Sequence, residues 1–106
     1  MDKKQRGWLM KLLIKVVEIK GMCPVYKVGD RITLREGYIL DTEETDIACM
    51  HSLTSVLPYY VALAKGVEAK EIGLSRGGSK EAYVQCLDPC EITEGGTVRL
   101  EISRIQ

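Results

Sequence analysis

Four cysteines, Cys23, Cys49, Cys86 and Cys90, are the residues of this chain best equipped for chemistry. A thiolate attacks electrophiles and binds soft ions: zinc, copper(I) or the iron of an iron–sulfur cluster. Cys86 and Cys90 bracket an Asp-Pro turn in "YVQCLDPCEI". Three intervening residues are permissible for two ligands of one ion but less diagnostic than two, and zinc ribbons and fingers use two such pairs where here there is one. Cys23, in "MCPV", and Cys49, ahead of a helical stretch, must arrive from distant elements. Folding that gathers strand ends and a helix start at one edge of a sheet would bring Cys23, Cys49 and Cys86 into one pocket, with Cys90 as a possible fourth. A closed four-thiolate site and a three-thiolate site with an open position both fit these residues. The plain alternative is that reduced cysteines pack as small apolar side chains. A redox-active thiol comes third, because Cys-x-x-Cys is absent.

His51 is the only histidine. Residues two apart on a helix point about 200° apart, so Cys49 and His51 would not converge on one ion if both were helical. His51 is expected on the solvent side and Cys49 on the buried stripe. Asp88, before Pro89, and Asp30, after Gly29, read first as turn formers. "SRGGSK", residues 75–80, is only loosely like a phosphate loop: it lacks the GxxxxGK[ST] spacing and no parallel strand precedes it. No Ser-His-Asp arrangement and no dinucleotide fingerprint is present.

The elements that must position these groups fit one domain of 106 residues. A 45% hydrophobic and 28% charged composition is globular. The 15 basic and 15 acidic residues cancel, so the footprint of a general nucleic-acid binder is missing. Lys11 and Lys15 interrupt the apolar run near the N-terminus, which argues against a secretory signal or a membrane span. The expectation is a cytoplasmic protein with reduced thiols. Residues 1–9 are read as a tail and 10–106 as the domain.

"MKLLIKVVEIK", residues 10–20, is a strand apolar on both faces, with Leu12, Ile14 and Val16 on one and Leu13, Val17 and Ile19 on the other, hence central in its sheet. A turn at Gly29-Asp30 leads to a strand with Ile32 and Leu34 inward; "YIL" forms another short one. Asp41 and Glu44 have capping-box spacing, and Ile47, Met50, Leu53, Leu57, Tyr60 and Ala64 recur at helical steps. Pro58 breaks or kinks that helix. "EAYVQCL" and "TVRLEISRI" are strands, the latter with Val98, Leu100 and Ile102 inward. The expectation is an α+β fold: a mainly antiparallel sheet of four or five strands packed against a Pro-interrupted helical segment.

The segments "VEIKGMCPVYKVGD", "ACMHSLTSVLPYYVALAKG", "YVQCLDP" and "GGTVRLEISR" resemble a family of small uncharacterised prokaryotic proteins, mostly of archaea and anaerobic bacteria. That family carries Gly-x-Cys-x-x-x-Lys-x-Gly-Asp, a cysteine in the central helix before a Leu-x-Pro-like break, and Cys-x-Asp-Pro. Here the break reads "VLP". The resemblance runs over residues 10–105 and implies that Cys23, Cys49 and Cys86 belong to the shared pattern, with Cys90 and His51 less securely part of it. It implies no activity. The leading expectation is an accessory or electron-transfer protein holding an iron–sulfur cluster or zinc through its cysteines. The alternative is a module that binds a protein partner or a second copy of itself and whose thiols are inert.

Overall fold

The computed structural model describes residues 10–105. The expected tail at residues 1–9 lies outside the described residues. Strands β1 (Lys11–Gly21), β2 (Arg31–Arg35), β3 (Ile39–Leu40), β4 (Ala82–Gln85) and β5 (Gly96–Ile105) form one antiparallel sheet in the order β3-β2-β1-β5-β4. The doubly apolar β1 is the central strand. Ile14 pairs with Ile32 on one side and Ile102 on the other, and Leu100 lies opposite Val16. Leu12, Ile14, Val16, Ile32, Val98, Leu100 and Ile102 are each at most 2% exposed, so this face is the core. Each such side chain contributes about 1.5–3 kcal/mol on burial. A register shift between Val16 and Glu18 keeps Ile19 opposite Val98 and packed on that same core, where strict alternation would have put it with Leu13.

The helical layer is smaller than the periodicity predicts. Helix α1 spans Met50–Val56 and α2 spans Tyr60–Ala64, with Leu57–Tyr59 turning between them, so Pro58 marks a break. A 3-10 turn, Ala69–Ile72, follows. No helix begins at Asp41. Its carboxylate does accept the N–H groups of Glu43 and Glu44, at 3.0 and 3.3 Å, but the chain then runs as a strap along the outer edge of β2. Thr33 donates its hydroxyl to the Glu44 carbonyl at 2.7 Å, Thr45 accepts the Thr33 N–H at 3.0 Å, and three further bonds join Asp46 and Arg31. Glu44, the residue that would close a capping box, instead pairs with Lys11 at 3.0 Å. Free strand groups outcompeted a helix start, since an edge left bare costs unpaired N–H and C=O groups. In consequence Ile47, Met50 and Leu57 are exposed, and the buried helical positions are Ser52, Val56, Leu63 and Ala64. No helix among the described residues is long and apolar enough to cross a membrane.

Candidate thiol pocket

β1 and β4 finish, and β5 begins, at one end of the sheet; the loop after β1 and the start of α1 close over that end. Gly21, at φ +82°, ends β1 and turns the chain toward β5. Cys23 then crosses directly over Gly96, where a Cβ would stand only 2.7 Å from the Cys23 nitrogen. The Cys23 sulfur accepts the Tyr26 N–H at 3.4 Å. Cys86 follows β4 immediately. Its N–H reaches the Val98 carbonyl at 3.0 Å, its sulfur accepts the Val98 N–H at 3.2 Å, and its S–H faces the Gly96 carbonyl at 3.7 Å. Cys49 is the residue just before α1, in extended backbone at φ −98° and ψ 137°.

Tyr26 joins these segments. It is 6% exposed; its hydroxyl bonds the Ser52 hydroxyl at 2.5 Å and accepts the Cys49 N–H at 2.7 Å. Burial is the main cause that pushes the Tyr26 phenol above its ordinary range, the Ser52 hydrogen bond acting the other way.

These contacts enclose a cavity of about 320 Å³ lined by Cys23, Cys49, Cys86, Tyr26, His51 and Asp88, among others. Three thiols from positions 23, 49 and 86 thus share one space. Cys90 does not line it. Cys90 is buried at φ +58°, its S–H donating to the Lys20 carbonyl at 3.5 Å, close against Gly21. All four thiols are free. His51 was expected to point away from Cys49, but that geometry required both to be helical. Because α1 starts at Met50, Cys49 is outside the helix, and His51 in the first turn reaches the same cavity.

Asp88 is a turn former, as its place before Pro89 implies. Its Oδ1 accepts the Cys90 N–H at 2.8 Å and the Thr93 hydroxyl, and its carbonyl accepts the Thr97 hydroxyl at 2.7 Å. The Thr93 hydroxyl first, then the Cys90 N–H, hold its carboxyl below the usual range, with the His51 charge a smaller contribution in the same direction. Asp30 is likewise structural: its carboxylate binds the Lys27 N–H at 2.9 Å and the Lys27 ammonium at 2.8 Å.

The donor set of the cavity suits a soft ion, thiolates with an imidazole. Its present arrangement does not converge: among the described residues no group of three or more His, Cys, Asp or Glu side chains is placed to hold a metal ion. Tyr26 is the residue that sequence reasoning passed over. Its signal was indirect, an aromatic inside a turn-rich stretch where nothing indicated a buried partner for the hydroxyl. In comparisons with known proteins, no family model, no curated protein and no solved structure matches the chain.

Proposed function

We propose that this chain is a small metal-binding accessory protein in which Cys23, Cys49, Cys86 and His51 close around one zinc ion. The supporting observation is the shared cavity, where three thiols and the sole imidazole meet from three separate segments. Three thiolates and one imidazole satisfy tetrahedral zinc, and a site filled by four protein ligands is structural and leaves no position for a substrate. Asp88 lies within electrostatic reach of His51 and would be the carboxylate that orients its ring. The N–H groups of Tyr26 and Val98 already point at the Cys23 and Cys86 sulfurs, as hydrogen-bond partners of ligating thiolates do. An iron–sulfur cluster fits less well, since such clusters take four thiolates and the Cys90 sulfur faces the Lys20 carbonyl. Because the donors do not yet converge, ion uptake would draw the loop after β1 and the start of α1 inward, coupling metal binding to ordering. Metal analysis with cobalt(II) replacement tests this. The expected result is one ion per chain, thiolate-to-cobalt absorption, and a lower melting temperature after chelation. A fully folded protein that takes up neither zinc nor cobalt(II) refutes it.

A second reading, a partner-binding module with inert thiols, draws on two observations. Cys86 and Cys90 donate their S–H groups to backbone carbonyls, as reduced buried thiols do. Met22, Met50 and Leu87, the chain neighbours of the three pocket cysteines, are 82%, 67% and 62% exposed. A partner protein or second copy of the chain would cover such side chains. Thiol titration separates the readings: protection of all four thiols without metal, alongside a dimeric mass in solution, favours the module.

A further inference from the structure

A second and wider cleft, of about 770 Å³, opens where the turn between α1 and α2, the segment 74–76, the end of β4 and the middle of β1 and β5 meet. It shares no lining residue with the thiol pocket. Its volume is that of a small-molecule site, and such sites combine an apolar body with a few polar groups. Here Val17, Pro58, Tyr59, Leu74 and Val84 supply the apolar wall, and Thr54, Ser55, Ser75 and Gln85 the neutral polar groups.

The charges of the cleft are nearly all committed. Arg99 pairs with Glu18 at 2.7 Å, and Tyr83 donates its hydroxyl to Glu101 at 2.8 Å. Arg76 is the exception: its guanidinium makes no ion pair or hydrogen bond among the described residues. Its backbone, by contrast, is pinned. The Arg76 N–H donates to the Ser79 hydroxyl at 2.9 Å, the Ser79 N–H returns to the Arg76 carbonyl at 3.2 Å, and Gly77 and Gly78 between them sit at φ +60° and +84°. The "SRGGSK" stretch therefore works as a tight turn that holds, at the rim of a mainly apolar cleft, a cation without an ion pair among the described residues.

We propose that this cleft binds a small carboxylic acid, its apolar body lying on Leu74, Val84 and Tyr59 and its carboxylate on Arg76. One guanidinium with no ion pair among the described residues matches one negative charge, and its fork matches the two carboxylate oxygens. A phosphate ester, carrying close to two charges, would leave one unanswered.

The test uses the isotope-labelled full chain titrated with 2-naphthoate and, separately, with neutral 2-naphthamide, followed by backbone amide shifts. Naphthoate is expected to saturate, moving amides at 54–59, 74–76 and 83–85. Arg76→Ala is expected to weaken naphthoate at least about tenfold, the value of a charge-assisted contact, and to leave naphthamide unchanged. Arg76 is exposed, and the same spectra report whether the variant is folded. Absence of saturable naphthoate binding, shifts centred elsewhere, equal affinity for the amide, or an unaffected Arg76→Ala would each overturn the proposal. None of these readings depends on metal in the thiol pocket.

Discussion

The Tyr26 hydroxyl and the Ser52 hydroxyl meet at 2.5 Å in the interior, and the same phenol oxygen accepts the Cys49 N–H at 2.7 Å. One side chain from the loop after β1 thereby fixes the first turn of α1 and, with it, the placement of Cys49 relative to Cys23. Tyr26→Phe keeps the ring and deletes both bonds, leaving a serine hydroxyl and a backbone N–H without that partner. The expected loss is about 1–3 kcal/mol, read as a lower urea midpoint at unchanged slope. Ser52→Ala should cost about as much, because it removes both the Tyr26 bond and the bond that the Ser52 hydroxyl donates to the Cys49 carbonyl at 2.7 Å. Equal stability of Tyr26→Phe and the parent would mean that the phenol does not organise the pocket.

Gly96 is required for a different reason. A methyl there would stand 2.7 Å from both the Cys23 nitrogen and the Met22 carbonyl carbon, which are backbone atoms with little room to yield. Gly96→Ala should therefore lift the loop after β1 away from β5, at a cost of about 1–3 kcal/mol as in an overpacked core. It should also raise the rate at which Cys23 reacts with a thiol reagent. A variant as stable as the parent, with unchanged Cys23 reactivity, would show that the close crossing is not needed.

The strands were legible because their signal is local and two-residue periodic. Val98, Leu100 and Ile102 alternate with Arg99, Glu101 and Ser103, and no other arrangement buries the first set together. The doubly apolar β1 announced its central place in the same way. The helices were less legible, because their start depended on a distant competitor. Asp41 and Glu44 have the spacing of a cap, but Thr33 and Lys11 claimed that segment, and nothing in residues 41–47 announces those partners. That misplaced start also hid His51, whose direction follows only once Met50 is known to be the first helical residue. The common cavity of Cys23, Cys49 and Cys86 could be expected from turn residues at element ends, whereas the separation of Cys90 could not. That separation rests on its left-handed backbone at φ +58°, which turns the sulfur back under Gly21.

Stability should be flat near neutrality and fall at both ends of the pH range. Burial raises the Tyr26 phenol, and the Glu101 hydrogen bond raises the Tyr83 phenol, both above the ordinary value of 10.0. Lys20 and Lys27 are raised as well, chiefly by hydrogen bonds to Glu91 and Asp30. The folded chain then holds these protons more tightly than the unfolded chain. Their contribution is whole below the unfolded values and is lost as pH rises through the folded ones. Asp30 and Asp88 act in the opposite sense. Held below 3.8 by Lys27 and by Thr93, they contribute fully above that value and lose the contribution as pH falls through their folded values. Urea midpoints measured across pH should show both limbs, and Asp88→Asn should flatten the acid one. An acid limb of undiminished depth in Asp88→Asn would show that ionisation of Asp88 contributes no stability through the Thr93 and Cys90 contacts.

The sharpest separation between the two functional readings comes from substituting the cysteines one at a time. If Cys23, Cys49, Cys86 and His51 hold an ion, then Cys49→Ser removes a ligand from a half-exposed position where serine is otherwise tolerated. Metal affinity should drop by at least about tenfold, as loss even of a ligand's hydrogen-bond partner costs that much, and the melting temperature of the chelated protein should hardly change. Cys90→Ser should do the reverse. Its sulfur is buried against the Lys20 carbonyl, outside the cavity, so metal affinity should stay the same while stability falls by about 1 kcal/mol from lost apolar packing. Inert thiols predict another pattern: both substitutions would act on stability alone, in proportion to burial, with Cys90→Ser the costlier. Titrating cobalt(II) into the two variants and melting each with and without chelator distinguishes these outcomes, because the readings differ in which variant loses the metal signal.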